Sequence, residues 1–256
     1  MTESKPESSH RQILRSSAII GASSVINIVV GLLRMKVAAV LLGPAGIGLI
    51  GILQNLMATA STIASLGFGN VGTRQIAQAN GQGRQVDVDV ARRALFWGTM
   101  VLALIGAGIF WVLRGTLAAK VLDDPALSTE LGWLALGVAL TVAAGSQRAL
   151  LNGMRRIGDL ARVSILSSLV ATLFGVVALL WWGRAGLLVF ILAAPVANFG
   201  ISHWYVARLP RVSTPRTPIK ELAKQWSALA KLGFAFMIAA LTTVTGPVAG
   251  ANHGSE

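Results

Sequence analysis

Cysteine is absent from this 256-residue chain, which excludes a disulfide framework, a thiol nucleophile and any cysteine-ligated metal site. Charge is scarce: Asp, Glu, Lys and Arg together make up 12% of residues, about half the share usual in soluble domains. Histidine is limited to His10, His203 and His253, too far apart in sequence for metal-ligand spacing. Neither a P-loop nor a GxSxG nucleophile elbow occurs. Asp123 and Asp124 are adjacent carboxylates, but Pro125 follows directly, and the segment reads as a solvated loop rather than a catalytic pair. The sequence therefore implies no enzyme and no cofactor.

What the chain has in quantity is apolar surface. Hydrophobic residues make up 54% and the mean hydropathy is +0.67, the composition of an all-α integral membrane protein. A net charge of +12 would suggest nucleic acid in a soluble protein. Here the positive residues are confined to loops between apolar segments, so no nucleic-acid partner is expected. No small-residue cleavage signature follows the first apolar run, which reads as an uncleaved span.

The first apolar run, residues 16–42, organises the rest. Its 27 residues form one helix of roughly 40 Å, longer than the bilayer's apolar core of about 30 Å. It carries Asn27, Arg34 and Lys36. A cation at mid-membrane costs about 2.5–3.5 kcal/mol on insertion scales and usually faces a cavity or partner. Asn27, Gly31 and Arg34 lie at i, i+4 and i+7 and share one helix face, with Gly31 keeping that face open. Lys36 falls on roughly the opposite face, where it snorkels.

Seven spans follow in order. Gly43-Pro44-Ala45-Gly46 turns the chain into the second, residues 47–68, which holds Gln54 and Asn55. Gly67, Gly69 and Gly72 then open a polar loop that ends at Arg92 and Arg93. The third and fourth spans are 94–113 and 131–151. The fifth, 163–182, is joined to the sixth, 185–207, by Gly183-Arg184 alone, which forces an antiparallel hairpin; Pro195 should kink the sixth. Residues 1–15 form a polar tail, 16–207 the transmembrane bundle, and 208–231 a basic linker, with the seventh span in 232–256. In the linker, Thr217-Pro218 starts an amphipathic helix suited to the membrane interface.

Lysine and arginine set the orientation. With the amino terminus in the cytoplasm, seventeen of the 22 basic residues fall on the cytoplasmic side. Arg34, Lys36, Arg114, Lys120 and Arg184 are left for the other side.

The stretches GLLRMKVAAVLLGPAGIGLIG, QNLMATASTIASLGFGNVGTRQIAQ and LLNGMRRIGDLARVS together resemble the polysaccharide flippases, or O-antigen translocases, of the multidrug, oligosaccharidyl-lipid and polysaccharide exporter superfamily. The resemblance covers residues 13–233. It implies a bacterial inner-membrane protein that moves an undecaprenyl-diphosphate-linked oligosaccharide from the inner to the outer leaflet by alternating access, with membrane lipids as neighbours. It also implies two six-helix bundles around a cationic cavity, and twelve to fourteen spans. Seven spans supply one six-helix bundle plus the start of a second, and Gly246-Pro247 interrupts the last. The expectation is an N-terminal half, truncated or paired with a second half or second copy.

A diphosphate entering a low-dielectric cavity needs a permanently charged, bidentate donor. Related lipid-linked precursor flippases carry an arginine in the first helix, where this chain has Arg34. The expected substrate contacts are Arg34, Asn27, Gln54, Asn55 and Arg148. Each has a plainer reading: an interfacial anchor for Arg34, helix–helix hydrogen bonding for Gln54 and Asn55, and a snorkelling anchor for Arg148. A small-molecule exporter of the same fold would be expected to carry acidic residues within its spans, and none is read there. A non-transporting scaffold or remnant is the third alternative.

The charge asymmetry makes a direct prediction. Reporter fusions after Arg84, Arg156 and Arg216 should report cytoplasm and one after Asp124 the opposite side. A cytoplasmic signal at Asp124 would refute this topology.

Overall fold

A computed structural model describes residues 6–65 and 67–209. The seventh span and the amphipathic linker helix lie outside the described residues, as do the first five residues of the tail. Among the described residues every element is helical: α1 (Pro6–Ser65), α2 (Phe68–Gly81), α3 (Gln85–Val121), α4 (Ser128–Gly153), α5 (Ile157–Trp182) and α6 (Leu187–Ala207). Short 3₁₀ turns occupy Pro125–Leu127 and Gly183–Gly186.

Four continuous stretches are long and apolar enough to cross a membrane: Ser17–Ser65, Gln85–Val121, Pro125–Gly153 and Ile157–Ala207. The first and last have 49 and 51 residues, and straight helices of that length would run roughly 75 Å, more than twice the bilayer core. Each is divided by a glycine with positive φ. Gly43 has φ 68° and ψ −175° inside α1, a conformation open to glycine and costly for other residues. Pro44 follows and begins the second limb, where its missing N–H breaks no helical bond. Gly183, φ 55°, divides α5 from α6.

Contacts between helices give the direction of each limb. Asn27 meets Ser164 near the start of α5, and Arg34 meets Phe190 near the start of α6. Residues 17–42 therefore run beside α5 and against α6. Met57 and Leu192 close on Gly137, Ala64 closes on Gly106, and Trp111 lies against Gly132. Residues 44–65 thus run with α4 and α6, and α3 runs against them. In the α5–α6 hairpin Phe190 packs on Gly175 and Gly186 on Ala178. Six helical limbs alternate in direction, joined at one end by Gly43 and the two 3₁₀ turns, and at the other by α2 and the turn at 154–156. The hairpin expected at Gly183-Arg184 is present.

One expectation needs correction. The polar loop read between the second and third spans is largely helix. Phe68, Val71, Gly72, Ile76 and Ala79 of α2 are buried, a stripe at helical spacing that packs against Leu95 of α3 and Gly153 of α4. Too few apolar residues surround that stripe for it to stand out as a span. α3 then starts at Gln85, nine residues before the expected span, so Asp87, Asp89, Arg92 and Arg93 are helical. α6 runs through Pro195 as one helix.

The core between the limbs is aliphatic and tightly closed: Ile50, Leu131, Leu134 and Val138 have no exposed surface. Outward positions are equally apolar, with Val112 and Trp181 each 79% exposed, as suits a surface facing lipid. Lipid tails are as apolar as leucine, so association rests on close packing at small residues. A Cβ added to Gly186 would fall 2.2 Å from the Ala178 carbonyl oxygen, whereas one at Gly145 would meet nothing within 4 Å. Gly186→Ala should therefore destabilise the bundle by about 1–3 kcal/mol, as overpacking does, and Gly145→Ala should be near neutral. Thermal unfolding of the two variants in detergent tests this; equal midpoints would contradict the packing.

Candidate functional site

The first limb carries two polar side chains, Asn27 and Arg34, within an apolar run. Arg34 is half-buried; its Nη2 donates to the carbonyl oxygen of Phe190 and its Cζ lies 4.2 Å from the centre of the Phe190 ring. Its buried Nε has no hydrogen-bond partner among the described residues. One turn of α6 thus holds the cation twice, through a carbonyl and through an aromatic face. Asn27, two turns earlier, donates from Nδ2 to Ser164 Oγ at 2.8 Å, and its buried Oδ1 has no partner among the described residues. The face shared by Asn27 and Arg34 is therefore turned onto the α5–α6 hairpin, while Lys36 is exposed. A Cβ at Gly31, between the two, would meet nothing within 4 Å.

The other expected contacts do not join them. Gln54 is half-buried on the second limb of α1, and Asn55 is exposed. Arg148 is exposed near the end of α4. Among the described residues no hydrogen bond or ion pair joins any of these three to Arg34 or Asn27. The residue that points inward is its neighbour Gln147, 3% exposed, because α4 buries positions 143, 144, 146, 147, 149 and 150 and leaves 148 outside.

Two cavities lie at the end of the bundle that carries α2. One, of about 320 Å³, is lined by residues of α3, α4 and α6, including Asp89, Arg93, Gln147 and His203. Gln147 Nε2 lies 3.4 Å from His203 Nδ1, and His203 stacks on Phe199 with centroids 6.0 Å apart. Arg92 donates to the Val206 carbonyl oxygen at 3.1 Å and ties α3 to the end of α6. The other, about 350 Å³, is lined by small and hydroxyl residues such as Ser61, Thr62, Thr99 and Thr141. Each of these hydroxyls donates to a carbonyl of its own helix. Sequence reading missed Asp89, Gln147 and His203 as a group. Their only signal is helical phase, which becomes usable once α3 is known to begin at Gln85.

Six helical limbs thus alternate in direction, with Asn27, Arg34 and Gln147 turned inward. A solved structure described as the outward-facing conformation of a multidrug resistance MATE family transporter of the MOP superfamily matches with a TM-score of 0.67 at 16% identity. The match covers 90% of this chain and 54% of that one, so the chain spans about half the length of this structural relative. Among curated proteins none matches significantly in sequence. The model of the family described as polysaccharide biosynthesis protein matches residues 13–245. The chain belongs to that family.

The Asn27–Ser164 bond can be measured directly. Side-chain hydrogen bonds between membrane helices average about 0.6 kcal/mol, with a maximum near 1.7. A double-mutant cycle of Asn27→Ala and Ser164→Ala should give a coupling in that range in an unfolding assay. Additive effects would show that the pair contributes nothing.

Proposed function

We propose that this chain forms one bundle of a transporter that moves an undecaprenyl-diphosphate-linked oligosaccharide from the inner to the outer leaflet of the bacterial inner membrane. The amino terminus faces the cytoplasm, and a second bundle, from a second half or a second copy, supplies the opposing wall. Alternating access then rocks the two bundles around a site near the membrane midplane. The polysaccharide biosynthesis family match supports a glycan cargo.

The observation that carries the proposal is Arg34. Its guanidinium is half-buried in an apolar limb, held by a carbonyl and an aromatic ring, with Nε left unpaired. None of the ion pairs recorded among the described residues involves it. An arriving diphosphate would displace neutral partners without breaking a salt bridge and would gain charge-assisted, bidentate bonds. Asn27, with an unpaired amide oxygen on the same face, accepts a donor such as a sugar hydroxyl. Gln54, Asn55 and Arg148 remain proposed contacts that a second bundle would have to bring to the site.

A small-molecule exporter is the second reading. The fold is that of a multidrug transporter, and Asp89 supplies a buried carboxylate, 8% exposed, within a helix. Asp89 lies in the first turns of α3, away from Arg34, so the two readings use different sites.

Translocation of a fluorescent polyprenyl-diphosphate glycan across liposomes, by an assembly containing both bundles, separates them. Arg34→Gln should lower glycan-lipid affinity ten- to hundredfold, the equivalent of about 1.5–3 kcal/mol for a charge-assisted bond, and Arg34→Lys should restore part of it. Full activity of the Gln variant at normal abundance would remove Arg34 from the site.

A further inference from the structure

The cavity between α3, α4 and α6 lies apart from Arg34, and the transport proposal leaves it unused. Its lining combines opposite chemistries: the Arg93 guanidinium, the buried Asp89 carboxylate, the Gln147 amide, the His203 imidazole and the rings of Phe96 and Trp97. Gln147 is 97% buried, and one polar atom of its amide, Oε1, has no partner. Exchanging the amide's oxygen and nitrogen would pair the oxygen with His203 and leave the nitrogen unpaired instead. Either way Gln147, which lines the cavity, keeps an unmet hydrogen-bonding group among the described residues, which costs about 1–3 kcal/mol unless a partner reaches it. A hydroxyl, both donor and acceptor, satisfies either orientation. At about 320 Å³ the space falls within the range of small-ligand sites, about 300–1,000 Å³.

What lies next to the cavity selects the kind of ligand. Trp97, at its edge, is 63% exposed. On the same face of α3 follow Val101, Leu104 and Val112, at i+4, i+7 and i+15, exposed by 39%, 66% and 79%. The apolar stripe leads from the cavity along the membrane-crossing part of α3 for roughly 20 Å, more than the half-thickness of the bilayer core, about 15 Å. The same end of the bundle carries Arg155, Arg156, Arg162 and Arg208 around its turns. Basic pockets between helices at a membrane surface suit anionic headgroups, and a tryptophan at the edge marks interfacial depth.

We propose that this cavity binds the headgroup of an anionic phospholipid bearing free hydroxyls, of the phosphatidylglycerol type. Arg93 takes the phosphate, Asp89 and Gln147 take the glycerol hydroxyls, and one acyl chain lies along Trp97, Val101 and Leu104. The site is a binding site for a resident lipid, independent of the cargo, and would fasten the α3 end of the bundle to one leaflet.

Thermal unfolding of the purified full chain in detergent, titrated with defined lipids, tests the proposal without a transport assay. Phosphatidylglycerol should raise the midpoint saturably, phosphatidylcholine should not, and phosphatidic acid, which lacks the glycerol hydroxyls, should need several times the concentration. Arg93→Gln should raise the half-saturating phosphatidylglycerol concentration about tenfold or more, and Arg93→Lys should recover part of the loss. Gln147→Leu should narrow the gap between phosphatidylglycerol and phosphatidic acid; should that core variant fail to fold, the half-exposed Arg93 still decides. Equal shifts with phosphatidylcholine, equal affinity for phosphatidic acid, or an unchanged response in folded Arg93→Gln would each overturn it. A matching shift with glycerol phosphate in solution would do so too, by assigning the cavity to a soluble ligand.

Discussion

Close approach of backbone at glycine is the interaction the rest of this bundle depends on. In lipid, apolar side chains gain nothing by leaving one hydrocarbon for another, so helices hold together only where they fit. Gly106 admits Ala64, Gly137 admits Met57 and Leu192, Gly153 admits Ile76, Gly175 admits Phe190, and Gly186 meets the Ala178 carbonyl. Each contact joins a different pair of helices or tightens a hairpin. The glycine-rich composition that gives the sequence its loose look is thus what makes the limbs close. The same glycines set levels: once Gly137 is beside Leu192 and Gly175 beside Phe190, the heights of α4, α5 and α6 are fixed against one another.

Those heights decide what each polar residue can do. Arg34 and Arg148 are both arginines in apolar sequence, yet one is held against α6 by Phe190 and the other is exposed near the end of α4. Depth and phase separate them, since α4 needs Gln147 inward and so turns Arg148 out. A long guanidinium at a helix end reaches the interface at little cost. One in the middle of a limb must be met by protein, and the Phe190 carbonyl and ring meet it.

The spans within the described residues were legible because twenty apolar residues in a row have few other uses. The turns at Gly43-Pro44 and Gly183-Arg184 were legible too, since glycine and proline state their backbone conformations in the sequence. α2 was not. Its buried stripe from Phe68 to Ala79 sits among Asn70, Thr73, Arg74 and Gln75, and hydropathy averaged over a window erases a stripe of that width. Missing α2 hid the true start of α3, and with it the phase that brings Asp89 and Arg93 toward Gln147 and His203. The shared face of Asn27 and Arg34 could be read from spacing alone. Its partners could not, because which helix a face meets depends on packing between residues more than a hundred positions apart.

The two ends of the bundle are built differently, and this bears on how it could move. At the end holding Gly43 and Gly183 the connections are one to six residues long, and Gly186 is seated on backbone. Sliding of α5 past α6 there would drive atoms into a carbonyl. At the other end α2 intervenes, both cavities open space between helices, and Gln147 Oε1 has no hydrogen-bond partner among the described residues. Interfaces with small voids and exchangeable hydrogen bonds rearrange at lower cost than close-packed ones. Rocking of this bundle would therefore pivot on the glycine-closed end, with the larger displacements at the α2 end. Arg34, nine residues before Gly43 and tied to the first turn of α6, would shift less than the opposite ends of the helices. Under the transport we propose, a cation so placed would stay nearly fixed while access alternates around it.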